Sequence, residues 1–472
     1  MPMRQDQTLL WHDYETWGAE PSVDRPAQFA AIRTDLDLNP IEDPVEIFCR
    51  LPTDYLPQPE ALFVTGITPQ KANRVGLVEA EFIRKVHEQM ARPGTCTLGY
   101  NSIRFDDEVT RYTLYRNFFD PYGREWQNGN SRWDLIDLVR ACYALRPEGI
   151  EWPERKPGVP SFKLEHLTAA NGLDHGNAHD AVSDVKATIA LAKLIKEKQP
   201  KLYQWAFSLR RKQAVAQQID ILNLKPLLHV SSRFPAAQGC AALVLPMAWH
   251  PDNKNAVACV DLTQDPTPLL EWDIETLREK LYLKAEQRPE GEPRVPVKLV
   301  HLNRSPFIAP ASTLDDGNAE RLGLDKARCR EHYRKLREQH KLVREKLHGL
   351  FLDSAPPQSD DKPAEQKLYE GFFSDSDRAQ MELVRDTAPQ NLSALEPQFS
   401  DPRLAPLFFR YRARNYPETL SEQELQRWHE HCHQALNNPE YLYRLERLFE
   451  QHGSDEEKTR LLTALGHYLR SL

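Results

Sequence analysis

At 472 residues the chain is too long for one ordinary domain, and its composition (40% hydrophobic, 28% charged, nine Trp, sixteen Tyr, eighteen Phe) excludes a disordered polymer. A net charge of −8 counts against a generally basic, phosphate-binding surface but leaves room for a local basic groove beside a cluster of acids. No run reaches the roughly 18 apolar residues of a membrane span, and the polar start Met1 to Gln7 is not a signal segment, so a cytoplasmic protein is expected.

Thr8 to Tyr14 predicts a short apolar strand, and Phe29 to Arg33 and Val45 to Leu51 predict further strands of the same sheet. Glu79 to Met90 has helical periodicity; Cys96 to Asn101 returns to extended structure. Asp107 to Phe118 is aromatic and helical, Trp133 to Leu145 is a helix that Asp134 can cap, and His179 to Lys198 is a long helix. Strands alternating with helices indicate an α/β sheet covered by helices. Four prolines between Arg146 and Ser161 mark a connecting loop.

Beyond about residue 200 the pattern changes. Leu227 to Ser232, Ala241 to Trp249, Ala256 to Leu262 and Val297 to Leu302 are short β-branched runs that predict a small antiparallel β unit. A helical stretch follows over Asp325 to Leu350, and the polar, Pro-rich Ser354 to Gln366 reads as a linker. Ser421 to Leu436, Pro439 to Gln451 and Asp455 to Leu469 predict a helical C-terminal domain. Seven scattered cysteines without a CxxC spacing indicate packed thiols rather than a disulfide framework or structural zinc site.

Three short constellations carry chemistry. Asp13 and Glu15 sit two apart at the end of the first strand, so both project from one face, close enough to repel unless a cation lies between them. Asp106 follows the extended Gly99 to Phe105 segment at the point where a helix starts; it can cap that helix or point back across the sheet. His179 and Asp184, five apart after a turn-rich loop, can reach one mouth without sharing a helical stripe, although a His near a helix start also serves as a cap. The tract His429-Glu430-His431-Cys432-His433 lies in a charged amphipathic helix and is read as surface, not as a metal tract. Ser359-Asp360-Asp361 and Asp375-Ser376-Asp377 are read as linker and helix-cap residues.

Asp-x-Glu on the first strand, Phe-Asp after a middle strand and His-x4-Asp opening a late helix resemble the DEDDh exonucleases, which include polymerase proofreading subunits, RNase T-like enzymes and oligoribonucleases. WHDYETWG, DRPAQFAAIRTD, GYNSIRFDDEVTR and PSFKLEHLTAANGLDHGNAHDAVSDV are most similar to a branch of that family specific for single-stranded DNA. The likeness continues through KPLLHVSSRF, VPVKLVHLN, YEGFFSDSDR and NYPETL, so nearly the whole chain is covered.

The resemblance implies an RNase H-like exonuclease core over 8–195, an SH3-like β plus helix domain over 200–353, a linker over 354–366 and a helical C-terminal domain over 367–472. It implies a processive 3′-to-5′ exonuclease that degrades single-stranded DNA to 5′-mononucleotides by two-metal-ion hydrolysis in DNA repair and recombination. Asp13, Glu15, Asp106 and Asp184 would hold two Mg2+ ions, or Mn2+ in their place, and His179 would act as general base, with Asp106 and Glu15 also in the catalytic set. An all-oxygen ligand set independently favours such hard cations over zinc.

Glu15, Lys163, Arg111, Tyr122, Trp126, Arg140 and Lys212 are the implied substrate contacts, pairing phosphate neutralisation with stacking faces. Lys163 stands where relatives often carry Arg, and Ser102 where they favour Asn. The implied partner is the acidic C-terminal tail of single-stranded-DNA-binding protein, met by Arg146, Lys225 and Arg337; Pro310 and Asp315 depart from the pattern nearby. A monomer is expected. An RNA-trimming DEDDh nuclease and a non-catalytic nucleic-acid-binding scaffold are the competing readings; the roughly 280 residues beyond the nuclease core disfavour the first and retention of every acid with His179 disfavours the second.

Overall fold

The first apolar stretch forms β1 (Thr8–Thr16), two residues longer than predicted, in a computed structural model that describes residues 7–173, 180–284, 287–352 and 361–472. In chain order follow β2 (Pro26–Thr34), β3 (Val45–Phe48), α1 (Pro59–Thr65), α2 (Pro69–Val75), α3 (Glu79–Met90), β4 (Thr95–Gly99), α4 (Asp106–Arg116), β5 (Ser131–Asp134) and α5 (Leu135–Leu145). Next come the two-stranded ribbon β6 (Glu154–Lys156) and β7 (Val159–Pro160), then α6 (Leu164–Ala170) and α7 (Ala181–Lys198).

Chain contacts divide the molecule into two compact units that do not follow chain order. One comprises Met1–Ser131, His175–Ile189 and Gln358–Leu472; the other comprises Arg132–Asp174 and Ala190–Pro357.

In the first unit β1 runs antiparallel to β2, with Asp13 opposite Ala30 and Glu15 opposite Gln28, and parallel to β4, with Trp11 opposite Leu98. The strand order is β3-β2-β1-β4, and β5, where the chain leaves the unit, ends the sheet. Alternation along β1 sends Leu10 and Tyr14 into an apolar cluster with Phe29, Phe82, Ile83, Val86, Val109 and Leu114. The face bearing α3 and α4 is therefore core, and Asp13 and Glu15 belong to the opposite face. Apart from Glu108, α4 is buried along its whole length, because its other side, through Tyr112 and Tyr115, packs on Leu404, Leu407, Phe408 and Tyr411 of the helix Leu404–Asn415. Each such side chain contributes roughly 1.5–3 kcal/mol by leaving water.

C-terminal helices complete this unit. Leu445 and Leu448 of Pro439–Gln451 and Leu461, Leu462 and Leu465 of Glu456–Leu469 cover Trp17, Leu51, Tyr55 and Leu62. The helix Glu422–Leu436 opens with a reciprocal capping box between Ser421 and Glu424.

A buried ionic network fastens the N-terminal and C-terminal segments. Glu79 accepts from Arg116 at 2.9 and 3.2 Å and lies 3.8 Å from Arg25, while Asp54 accepts from Arg414 at 2.6 Å, and Arg414 lies 2.7 Å from Glu365. Glu365 also pairs with Arg410. Part of the segment expected as a linker, 361–366, thus contains a buried, doubly paired carboxylate; 353–360 lies outside the described residues. From the His429–His433 tract, His431 Nε2 meets Asp54 at 3.1 Å and Cys432 lies 3.7 Å from Thr53 Oγ1.

The second unit has an antiparallel five-stranded sheet built from Leu227–Val230, Ala241–Trp249, Ala256–Asp261, Val297–His301 and Phe307–Pro310. Four of these match the predicted runs. The fifth, at the sheet edge, follows Pro306 and ends on Pro310, and an edge strand is a place where proline costs no ladder hydrogen bond. Its core joins Val244, Val257, Val300 and Ile308 to Leu209 and Val215. The helical stretch expected over Asp325 to Leu350 consists of two helices, Lys326–Glu338 and His340–Phe351, separated at Gln339. No helix among the described residues is long and apolar enough to cross a membrane.

Candidate active site

β1 delivers Asp13 and Glu15 to one face, and the first turn of α7 brings Asp184 to them: one carboxylate oxygen from each lies within 4.8 Å of the others. Asp180 begins that turn, accepting from Ser183 N at 3.2 Å, while its carbonyl accepts from Asp184 N at 3.0 Å. His179, the predicted base, lies outside the described residues.

Asp106 arrives by way of the C-terminal end of β4. Gly99 ends that strand where a Cβ would meet the His12 carbonyl oxygen at 2.6 Å, so only glycine permits the close crossing. Asn101 then turns the chain at φ +65°, a left-handed conformation that Asn tolerates. A short turn at Ser102–Arg104 leads into α4, whose first residue is Asp106. Its Oδ1 accepts from the backbone N–H of Tyr14 at 3.0 Å, between Asp13 and Glu15, and Thr110 Oγ1 donates to the Asp106 carbonyl at 2.8 Å while lying 3.0 Å from Tyr14 Oη. Asp106 therefore points back across the sheet rather than capping its own helix.

Burial dominates the electrostatics. Desolvation, reinforced by Asp106 and Asp184, holds the Asp13 carboxyl well above the ordinary range. Glu15, 6% exposed, is pushed up to about 9 by burial and then by Asp13, Asp184 and Asp180. Among the described residues neither Asp13 nor Glu15 forms an ion pair. Carboxylates crowded in this way are stable as anions only with positive charge between them, and the all-oxygen donor set of Asp13, Glu15 and Asp184 suits hard divalent cations. The residues present fit such ions.

The remaining predicted residues fall in both units. In the first, Arg111 is internally committed: Nε and Nη2 donate to the two carboxylate oxygens of Glu125 at 2.7 and 3.0 Å, and Nη1 donates to Glu108 at 2.8 Å and to Tyr369 Oη at 3.0 Å. Its guanidinium also covers Tyr122 at 5.4 Å, and Tyr122 meets the exposed Phe372 edge-on at 6.0 Å. Trp126 is 67% exposed.

In the second unit Arg140 donates to Asp137 at 2.7 Å and is buried, Lys163 is exposed and 3.1 Å from Glu165, and Lys212 is exposed at the start of Lys212–Gln218. Arg146 lies 3.8 Å from Asp315, while Lys225 and Arg337 are exposed. Asp315, singled out as a departure, thus offsets one of the three predicted docking cations. Sequence reasoning passed over Asp180 and Thr110, whose roles depend on contacts that local spacing cannot reveal.

Comparison with known proteins agrees with this geometry. Residues 10–192 match the family model described as Exonuclease, 210–353 the Exonuclease I SH3-like domain, and 362–472 the Exonuclease I C-terminal domain. Exodeoxyribonuclease I of Escherichia coli (strain K12) is 51% identical over 473 residues, covering 99% of both chains. A crystal structure of E. coli exonuclease I in complex with a dA16 oligonucleotide superposes with a TM-score of 0.95 at 51% identity over 98% of this chain and 99% of that one. One of SSB/exonuclease I in complex with the inhibitor CFAM gives 0.92 at 50% identity over 99% and 100%. Four acids converging from β1, α4 and α7, with likeness sustained across all three matched segments, place this chain in the exodeoxyribonuclease I family.

Proposed function

We propose that the chain hydrolyses single-stranded DNA from its 3′ end, releasing 5′-mononucleotides, and that Asp13, Glu15 and Asp184 hold divalent cations, with Mg2+ as the working ion, Mn2+ able to replace it, and Asp106 completing the set. The observation that carries this reading is the triad of carboxylates within 4.8 Å on the end of β1 and the start of α7, unpaired at Asp13 and Glu15 among the described residues. The single-stranded oligonucleotide bound by the E. coli relative supplies the substrate class.

When bound, such cations lower the cost of forming the attacking nucleophile and of charge on the departing 3′ oxygen. The chain's own residues do the rest. Asp106, held by the Tyr14 N–H and by Thr110, fixes the spacing between α4 and β1 and so the acids' mutual geometry. His179 would take the proton of the attacking water, an imidazole being the side chain suited to that exchange at neutral pH. Trp126 and Tyr122 offer stacking faces, and Lys163 and Lys212 offer exposed positive charge to phosphates. Phosphate would compete with the carboxylate partners that Arg111 and Arg140 already hold.

A repair and recombination role in the cytoplasm, as a monomer, follows from the same reading. The acidic tail of single-stranded-DNA-binding protein is the proposed partner, supported by the SSB/exonuclease I relative; Arg146, Lys225 and Arg337 are its proposed contacts, with Asp315 weakening the first.

End-labelled single-stranded DNA, single-stranded RNA and duplex DNA, digested side by side with Mg2+ or EDTA, test this. Mononucleotides should leave the 3′ end of single-stranded DNA only with Mg2+. Equal digestion of RNA, or release beginning at the 5′ end, would contradict it.

A further inference from the structure

The helix that carries Asp106 starts with three consecutive acids, Asp106, Asp107 and Glu108, each directed to a different partner. Asp106 reaches the Tyr14 N–H on β1 and Glu108 meets Arg111 and Tyr369. Asp107 is buried, and its Oδ1 accepts from Arg124 Nη2 at 2.7 Å. The Arg124 side chain is fully enclosed, and its Nη1 donates to Thr97 Oγ1 at 3.3 Å on β4. The backbone around Arg124 is itself pinned: Asn130 Nδ2 donates to the Arg124 carbonyl at 3.2 Å, and Asn130 Oδ1 accepts from Thr95 N at the start of β4 at 3.0 Å. One turn of α4 is therefore fastened twice, to β1 through Asp106 and to β4 through Asp107 and Arg124.

A buried carboxylate one residue from Asp106 is tolerable only while its countercharge stays in place, because an unpaired charge inside a protein forces movement or neutralisation. We infer that Arg124 is a positioning residue for the reaction: acting through Asp107, it sets where the first turn of α4 presents Asp106 to the Asp13, Glu15 and Asp184 cluster. This rests on the reading of that cluster as the hydrolytic site. Arg124 acts on the reacting atoms only through α4, so its loss should change turnover more than substrate affinity.

The test compares Arg124→Gln, Arg124→Lys and the neutral pair Asp107→Asn with Arg124→Gln, all as the full chain, with Asp106→Ala in parallel. The readouts are kcat and KM on single-stranded DNA with Mg2+, and the melting temperature in EDTA. Arg124→Gln should lower kcat by roughly 10- to 100-fold, as misplacement of a catalytic group by about 1 Å does, with KM nearly unchanged. The neutral pair, which buries no unpaired charge, should regain most of that turnover. Arg124→Lys keeps the charge without the fork, should fold, and should fall between wild type and Arg124→Gln. Wild-type kcat in both single variants, measured below their melting temperatures, or a double variant no faster than Arg124→Gln, overturns the inference and leaves Arg124 a stability residue. Wild-type kcat in Asp106→Ala overturns the underlying reading of the site instead.

Discussion

Two groups of buried carboxylates lie within the same unit and end in opposite states. Around Glu79, Asp54 and Glu365, burial alone would raise the carboxyl pKa values, but Arg116, Arg25, Arg414 and Arg410 outweigh it: Glu79 and Glu365 are brought down to about 2, and Asp54 lower still. Around Glu15 and Asp13 the same desolvation is reinforced by further acids, against which Asp13 has only a backbone N–H of Tyr14, and Glu15 rises to about 9. Burial is shared, so the partner decides. Matched acids join the N-terminal segment to the C-terminal helices, whereas the unmatched ones keep a stored repulsion that a divalent cation relieves.

Mutating the unmatched group should have the largest effect. Asp13→Ala, Glu15→Ala and Asp184→Ala should each abolish hydrolysis in a single-stranded DNA assay while circular dichroism stays native, and His179→Ala should slow turnover by roughly 10² to 10⁴. Near-wild-type rates in any of the three acid variants would detach the cluster from the chemistry.

Next in size is loss of a matching cation. Arg414→Ala leaves Asp54 and Glu365 buried without their shared partner and should cost about 3–5 kcal/mol, seen in a chain of this length as a melting temperature lower by roughly 3–5 °C. An unchanged melting temperature would mean that the network is not what holds the segments together.

The two clusters should also divide the pH axis. Glu79 and Glu365 have folded-state pKa values below the ordinary 4.5, so their stabilisation is present above pH 4.5 and is lost as pH falls toward 2. The loss is about 3 kcal/mol for each. Glu15 is raised, so in EDTA its contribution is present below pH 4.5 and is lost as pH climbs through about 9. Melting followed from pH 2 to 9 in EDTA should therefore rise to a maximum near pH 4.5 to 6 and then decline, and Mg2+ should flatten the decline. A monotonic rise to pH 9 in EDTA would remove the distinction between the clusters.

Much of the site was legible because its signals are local. Strand alternation alone puts Asp13 and Glu15 on one face, and the helical run through Val182, Val185 and Ile189 locates Asp184 near a helix start. The sequence left Asp106 open between cap and cross-sheet contact; the Tyr14 N–H decides it. The resemblance implies Arg111 and Arg140 as strand contacts, and Glu125 and Asp137 already hold them; nothing in their spacing predicts the Arg111 to Glu125 fork across 14 residues. The same limit hid the ionic network, whose partners Asp54 and Arg414 are 360 residues apart. The helices α1 and α2, seven residues each with proline at their starts, are too short for a 3.6-residue period to emerge.

Thermal melting at neutral pH of wild type, Glu15→Gln and Glu79→Gln, each with EDTA and with Mg2+, separates a carboxylate held for a cation from one held by arginine. Wild type should gain stability with Mg2+. Glu15→Gln should melt higher than wild type in EDTA and gain little from Mg2+, whereas Glu79→Gln should melt lower in both and keep the Mg2+ increment. An equal Mg2+ increment in Glu15→Gln and wild type, with Glu15→Gln melting lower in EDTA, would contradict the claim that this carboxylate is held for a cation.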